Sequence, residues 1–72
     1  MKLYEVPRYS IIKIIKQDVE IPPEATEVSK GETLKFYHID GMYSFCKNFK
    51  DEIVHIAAWT EVEVIGAFEK NE

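Results

Sequence analysis

Residues 34–65 read LKFYHIDGMYSFCKNFKDEIVHIAAWTEVEVI. Apolar and polar residues alternate on both sides of Asp40-Gly41. An Asp-Gly pair between two such runs is the strongest short-range hairpin signal, because both central residues of a type I′ turn need positive φ. With these two residues as the loop, Ile39 faces Met42, His38 faces Tyr43 and Phe36 faces Phe45. Leu34, Phe36, His38, Tyr43 and Phe45 then form the core face. Lys35, Tyr37, Ile39, Met42, Ser44 and Cys46 form the other. After a connection at 48–51, a third strand is predicted over 52–57, with Val54 and Ile56 inward and Ile53 and His55 outward. Residues 58–60 suit one 3₁₀ turn. A last strand over 61–65 turns Val62 and Val64 inward, and Gly66 ends it.

Upstream, residues 9–16 read YSIIKIIK. The run of β-branched isoleucines favours a strand over a helix. Ile12 and Ile14 share one face, Ile11 and Ile15 the other. With both faces apolar, the strand is buried on two sides or packs at an interface. Residues 17–30 hold Pro22 and Pro23, lack a sustained period and read as a long loop. The apolar outer face of the hairpin suggests a partner or ligand, or a terminal segment such as residues 67–72 that covers it.

The chain has 72 residues and one cysteine. It is expected to be a single domain, with a barrel over 9–65 and a tail over 66–72. A core this small supplies only about 3–5 kcal/mol unless disulfides, metal or association help. Cys46 alone makes no internal disulfide. Two histidines and one cysteine do not suit a closed zinc site. Association with copies of itself is therefore expected, through Ile11, Ile15, Ile39, Met42 and Ile53. One cysteine and no signal peptide fit a cytoplasmic location, and no apolar run reaches the roughly 20 residues that cross a bilayer. The net charge is −4. Positive charge concentrates in residues 1–16 and 34–50, negative charge in 17–33 and 51–72. A duplex-binding domain would show a net basic face, so duplex nucleic acid is not an expected partner.

The order of elements (strand, long loop, three meandering strands, 3₁₀ turn, last strand) resembles SH3-like barrels. Lys30-Gly31-Glu32-Thr33-Leu34-Lys35-Phe36 is similar to the segment entering the second SH3 strand. Ala58-Trp59-Thr60-Glu61-Val62 is similar to the 3₁₀ turn and final valine. The fold implied is all-β, a five-stranded SH3-like barrel with a long first loop and a 3₁₀ turn before the last strand. The Ala-Leu-Tyr-Asp-Tyr run, the tandem tryptophans and the 3₁₀ proline of SH3 domains are missing, so proline-rich peptide binding is not implied. Residues 38–44 also resemble short uncharacterised proteins of tailed phages. That likeness implies a phage accessory role in a host cytoplasm, and it attaches no activity.

No catalytic, metal or phosphate motif stands out. His38, Asp40, Cys46 and His55 are the reactive set, but Asp40 is explained by the turn, His38 by the core rim and Cys46 by burial. Binding without catalysis or cofactor is the expectation. Arg8, Tyr9, Tyr37, His38, Tyr43, Lys47 and Trp59 offer flat rings and positive charge. Each stacked base contributes about 1–3 kcal/mol on such surfaces. Trp59 equally suits a core plug. The function expected is an oligomeric protein that sequesters a small anionic, nucleotide-derived immune signal. The alternative is an interaction module that inhibits or recruits a host protein.

Overall fold

A computed structural model describes residues 1–17 and 25–69. It is all-β apart from a short 3₁₀ helix, Leu3–Glu5. The strands are β1 (Ser10–Lys16), β2 (Thr33–Asp40), β3 (Tyr43–Lys47), β4 (Ile53–Val54) and β5 (Glu61–Ala67). They form one five-stranded antiparallel sheet in the order β4-β3-β2-β1-β5. The sheet is open, with β4 and β5 at its edges.

Alternation decides which side chains go inside. Ile12 and Ile14 of β1, Leu34 and Phe36 of β2, and Val62 of β5 are all buried, as expected. Val54 and Ile56 join them. Each such side chain contributes about 1.5–3 kcal/mol on burial. The N-terminal segment completes the core in a way the sequence reading missed. Leu3 is fully buried, and its backbone N–H donates to the Thr60 carbonyl at 2.9 Å. The expected 3₁₀ turn at 58–60 is a single hydrogen-bonded turn, Thr60 N–H to the Ala57 carbonyl at 3.1 Å.

The hairpin loop is displaced from the expectation by one residue, which shifts the cross-strand partners by two, so that Ile39 faces Ser44 and not Met42. Asp40 pairs with Tyr43, so Gly41 and Met42 form the loop. Gly41 has φ +65° and Asp40 is not in the positive region. Glycine alone at the first central position is the pattern of a type II′ turn. A two-residue shift of partners keeps the same faces together, and it is the unpaired residue at Tyr37, inside β2, that turns the side chains of β3 over relative to Leu34 and Phe36. Ser44 and Cys46 therefore fill the core, while Phe45, expected inside, lies on the outer face with Tyr43 and Lys47.

The bulge that changes the faces lies in β2. Phe36 pairs with Cys46, but His38 pairs with Phe45, leaving Tyr37 as the extra residue. Tyr37 and His38 both oppose Phe45 on the outer face, and Ile39 returns to pack against the core. Ile39, expected on the outer face, is thus half-buried against the core, and His38 leaves the core rim. Met42, Ile53 and Ile15 are exposed, and Ile11 is half-buried.

The remaining departures are at the edges. The strand expected over 52–57 is cut to Ile53–Val54, because His55 N–H turns to Thr26 Oγ1 (3.1 Å) and Ala57 makes an isolated bridge to Tyr43. In β5 a second bulge matches Ile11 with Gly66 and Ile12 with Val64. Val64 lies opposite buried Ile12, on the core face as expected, but at the edge strand it is 39% exposed, and Gly66 lies within the strand instead of ending it. Much of the expected 17–30 loop lies outside the described residues, as does the end of the 66–72 tail.

Candidate functional site

The bulge at Tyr37 gathers the outer-face rings into one row across β2, β3 and the residue that follows β4. Tyr37 stacks on Phe45 with ring centroids 5.3 Å apart, and Phe45 stacks on His55 at 6.1 Å. His38 meets Phe45 edge-on at 5.5 Å. His55 Nδ1–H donates to the Ser44 carbonyl at 2.9 Å, which fixes its ring against β3.

The tail extends the row. Phe68 N–H donates to the Tyr9 carbonyl at 2.9 Å. Its ring lies 5.1 Å from Tyr37 and 5.9 Å from Tyr9, and Tyr9 meets Tyr37 edge-on at 6.2 Å. Of the two readings of the apolar outer face, the covering segment is therefore realised at Phe68. The sequence reading offered residues 67–72 as a cover but did not single out Phe68, a lone aromatic with no periodic pattern after it.

Beside the rings, Lys35 and Lys47 are direct cross-strand partners. Both are half-buried. Like charges directly opposite each other on a sheet are destabilising by roughly 0.2–1 kcal/mol. Lys47 Nζ lies 5.8 Å from the Tyr37 ring centroid and 3.7 Å from Asp51 Oδ1. Lys35 Nζ lies 5.4 Å from the Phe49 centroid. Both lysines line an open groove of about 450 Å³ with Tyr37, Asp51, Phe68 and Glu69. Phe49 sits on a turn held by Asn48, whose Oδ1 accepts the N–H groups of Lys50 and Glu52 at 2.9 and 3.0 Å.

Of the expected binding residues, Tyr9, Tyr37, His38 and Lys47 come together. Arg8 is exposed. Tyr43 is bridged to Ala57 and joins no ring pair among the described residues. Trp59 is half-buried elsewhere, in a cavity of about 210 Å³ lined also by Lys2, Lys16 and Glu61. Lys2 and Lys16 there face one carboxylate, that of Glu61. The Met1 ammonium hydrogen-bonds the Glu61 carboxylate, with Lys2 at 3.5 Å, and this holds the carboxyl below its usual range.

The reactive set does not assemble. Cys46 is fully buried, and that burial pushes its thiol up to about 11 despite a contact with Ser44 Oγ at 3.4 Å. A thiol so protonated is a poor nucleophile. Asp40 is exposed at the strand end. Among the described residues, no group of three or more His, Cys, Asp or Glu side chains is arranged to hold a metal ion. No protein-family model, curated protein or solved structure matches the chain.

Proposed function

We propose that the protein is a non-catalytic binding protein that works as an oligomer and captures a small anionic ligand carrying a planar ring, of the nucleotide class. The observation that carries this reading is the Lys35–Lys47 pair in the groove beside Tyr37 and Phe68. Both lysines line the groove, where Asp51 pairs with Lys47 at 3.7 Å, and a phosphate seated there takes the place of that carboxylate and reaches both lysines. The exposed parts of Tyr37 and Phe68 offer an apolar wall for a base. An SH3-like wrap of the sheet is supported by the position of β1 between β2 and β5. In the phage setting implied by the resemblance of residues 38–44, the captured ligand is a nucleotide-derived immune signal.

The test is thermal stabilisation by a panel of cyclic and linear nucleotides, with the matching nucleosides as controls. A ligand that binds only the native state at 100 times its Kd adds about 2.7 kcal/mol. Nucleotides should raise the melting temperature, nucleosides should not, and Lys35→Gln with Lys47→Gln should abolish the shift. The ligand released by heat should be recovered intact. A panel with no shift overturns the reading, and a chemically altered ligand overturns its non-catalytic half.

The alternative is a module that docks a host protein. Its support is the exposure of Met42, Phe49 and Ile53, at 57%, 58% and 56%. Capture of one host protein that Phe49→Ser abolishes, without any nucleotide shift, would favour it.

A further inference from the structure

The outer face of β1 and β5 carries an ordered pattern of charge. Lys13 and Lys16 are exposed on β1. Directly across the ladder, Lys13 pairs with Glu63 and Lys16 with Glu61. One strand is therefore a basic column and its neighbour an acidic one. Around them lie apolar side chains. Ile15 is 36% exposed and Ile65 50% exposed. Ile11 lies beside Gly66, where an added Cβ would sit 3.7 Å from Ile11 Cδ1. Isoleucines on both faces of β1 are more than a one-sided sheet needs.

We propose that a second copy of this chain packs face to face on β1 and β5, about a two-fold axis that runs along the strands. The charge pattern selects that axis. Rotation about a line parallel to the strands and midway between them carries β1 over the partner's β5 at unchanged height. Lys13 then lies over a glutamate at position 63, Lys16 over one at 61, and Ile11 over the 65–66 bulge. A two-fold axis perpendicular to the strands would instead set β1 on β1, lysine against lysine. Isologous interfaces must be self-complementary in this sense, and charge complementarity fixes register more than it adds affinity. Two sheets packed this way form a sandwich about 10 Å thick, within reach of long side chains. Ile11 is also the cross-strand partner of Lys35, so the interface borders the groove. The inference rests on the proposal that the protein is an oligomer, and it is independent of the ligand.

The experiment is light scattering after size exclusion on ligand-free protein, across a concentration series. Wild type should be a dimer. Lys13→Glu sets acid against acid and Glu63→Lys sets base against base, so each variant alone should be monomeric. Mixed one to one, they should form a heterodimer in which both contacts are complementary again. Far-UV circular dichroism checks that each is folded, and exposed Ile65→Arg should give a monomer even if a charge variant fails to fold. A wild type that stays monomeric, or single variants that stay dimeric, would overturn the proposal. So would a mixture of folded variants that fails to dimerise. Lys35→Gln and Lys47→Gln should leave the dimer unchanged, which separates this result from the nucleotide test.

Discussion

At the residue scale, Lys35 is where stability and binding part company. Lys35→Thr removes the like-charge neighbour of Lys47 and places a good strand former in β2. It should raise stability by about 0.2–1 kcal/mol in urea unfolding while losing the nucleotide-induced shift. A variant that loses stability and keeps the shift would remove the lysine pair from the site. Cys46 makes a second prediction. Its thiol ionises near 9.0 when unfolded and at about 11 when folded. The folded state therefore holds its proton where the unfolded state has lost it. This contribution is complete below pH 9 and is lost as pH rises toward 11, at up to about 1.4 kcal/mol per pH unit. Cys46→Ala should flatten that alkaline slope in urea titrations. In native protein at neutral pH, alkylating reagents should leave Cys46 unmodified. Ser44 beside it donates to the Ile56 carbonyl at 2.9 Å and accepts from Ile56 N–H at 3.3 Å. Neither partner shows in the sequence, because both come from a strand brought alongside by folding.

At the element scale, two local irregularities set the outer face. The type II′ turn at Gly41-Met42 sets which residues pair, and the bulge at Tyr37 sets the faces of His38, Ile39 and the whole of β3 relative to Leu34 and Phe36. Gly41 has open space around it, so a substitution there meets backbone strain alone. Gly41→Ala should cost about 1–2 kcal/mol, read as a shifted urea midpoint with an unchanged slope. The sequence pointed to this bend and to its glycine. It did not separate two hairpins whose loops are displaced by one residue, because that displacement shifts partners by two and period-2 patterning reads the same in both. The tail is the second element-scale case. Phe68→Ala removes two ring contacts worth about 0.5–1.5 kcal/mol each. It should lower stability by a comparable sum and abolish hydrogen-exchange protection of the Phe68 amide, while β1 to β3 keep theirs.

At the scale of the whole molecule, a chain of net charge −4 presents a local pair of cations. Binding of a nucleotide should weaken as salt rises, because the attraction is electrostatic and screened within about 8–10 Å at physiological ionic strength. What the sequence by itself determined was the set of elements. β-Branched and aromatic runs, alternation, and Asp40-Gly41 gave an all-β chain with β1 in 9–16, a hairpin at 41, and Ile12, Ile14, Leu34, Phe36, Val54, Ile56 and Val62 inside. Those are local properties of the backbone and of apolar spacing. Tertiary structure alone decided which rings meet. It set Phe45 beside Tyr37, brought Phe68 back onto Tyr9, sent Trp59 to a separate cavity and faced Lys35 with Lys47. Those outcomes depend on bulges and on contacts between residues far apart in the chain. A single unpaired residue in a ladder turns every side chain beyond it to the opposite face, and no local pattern records where it will fall.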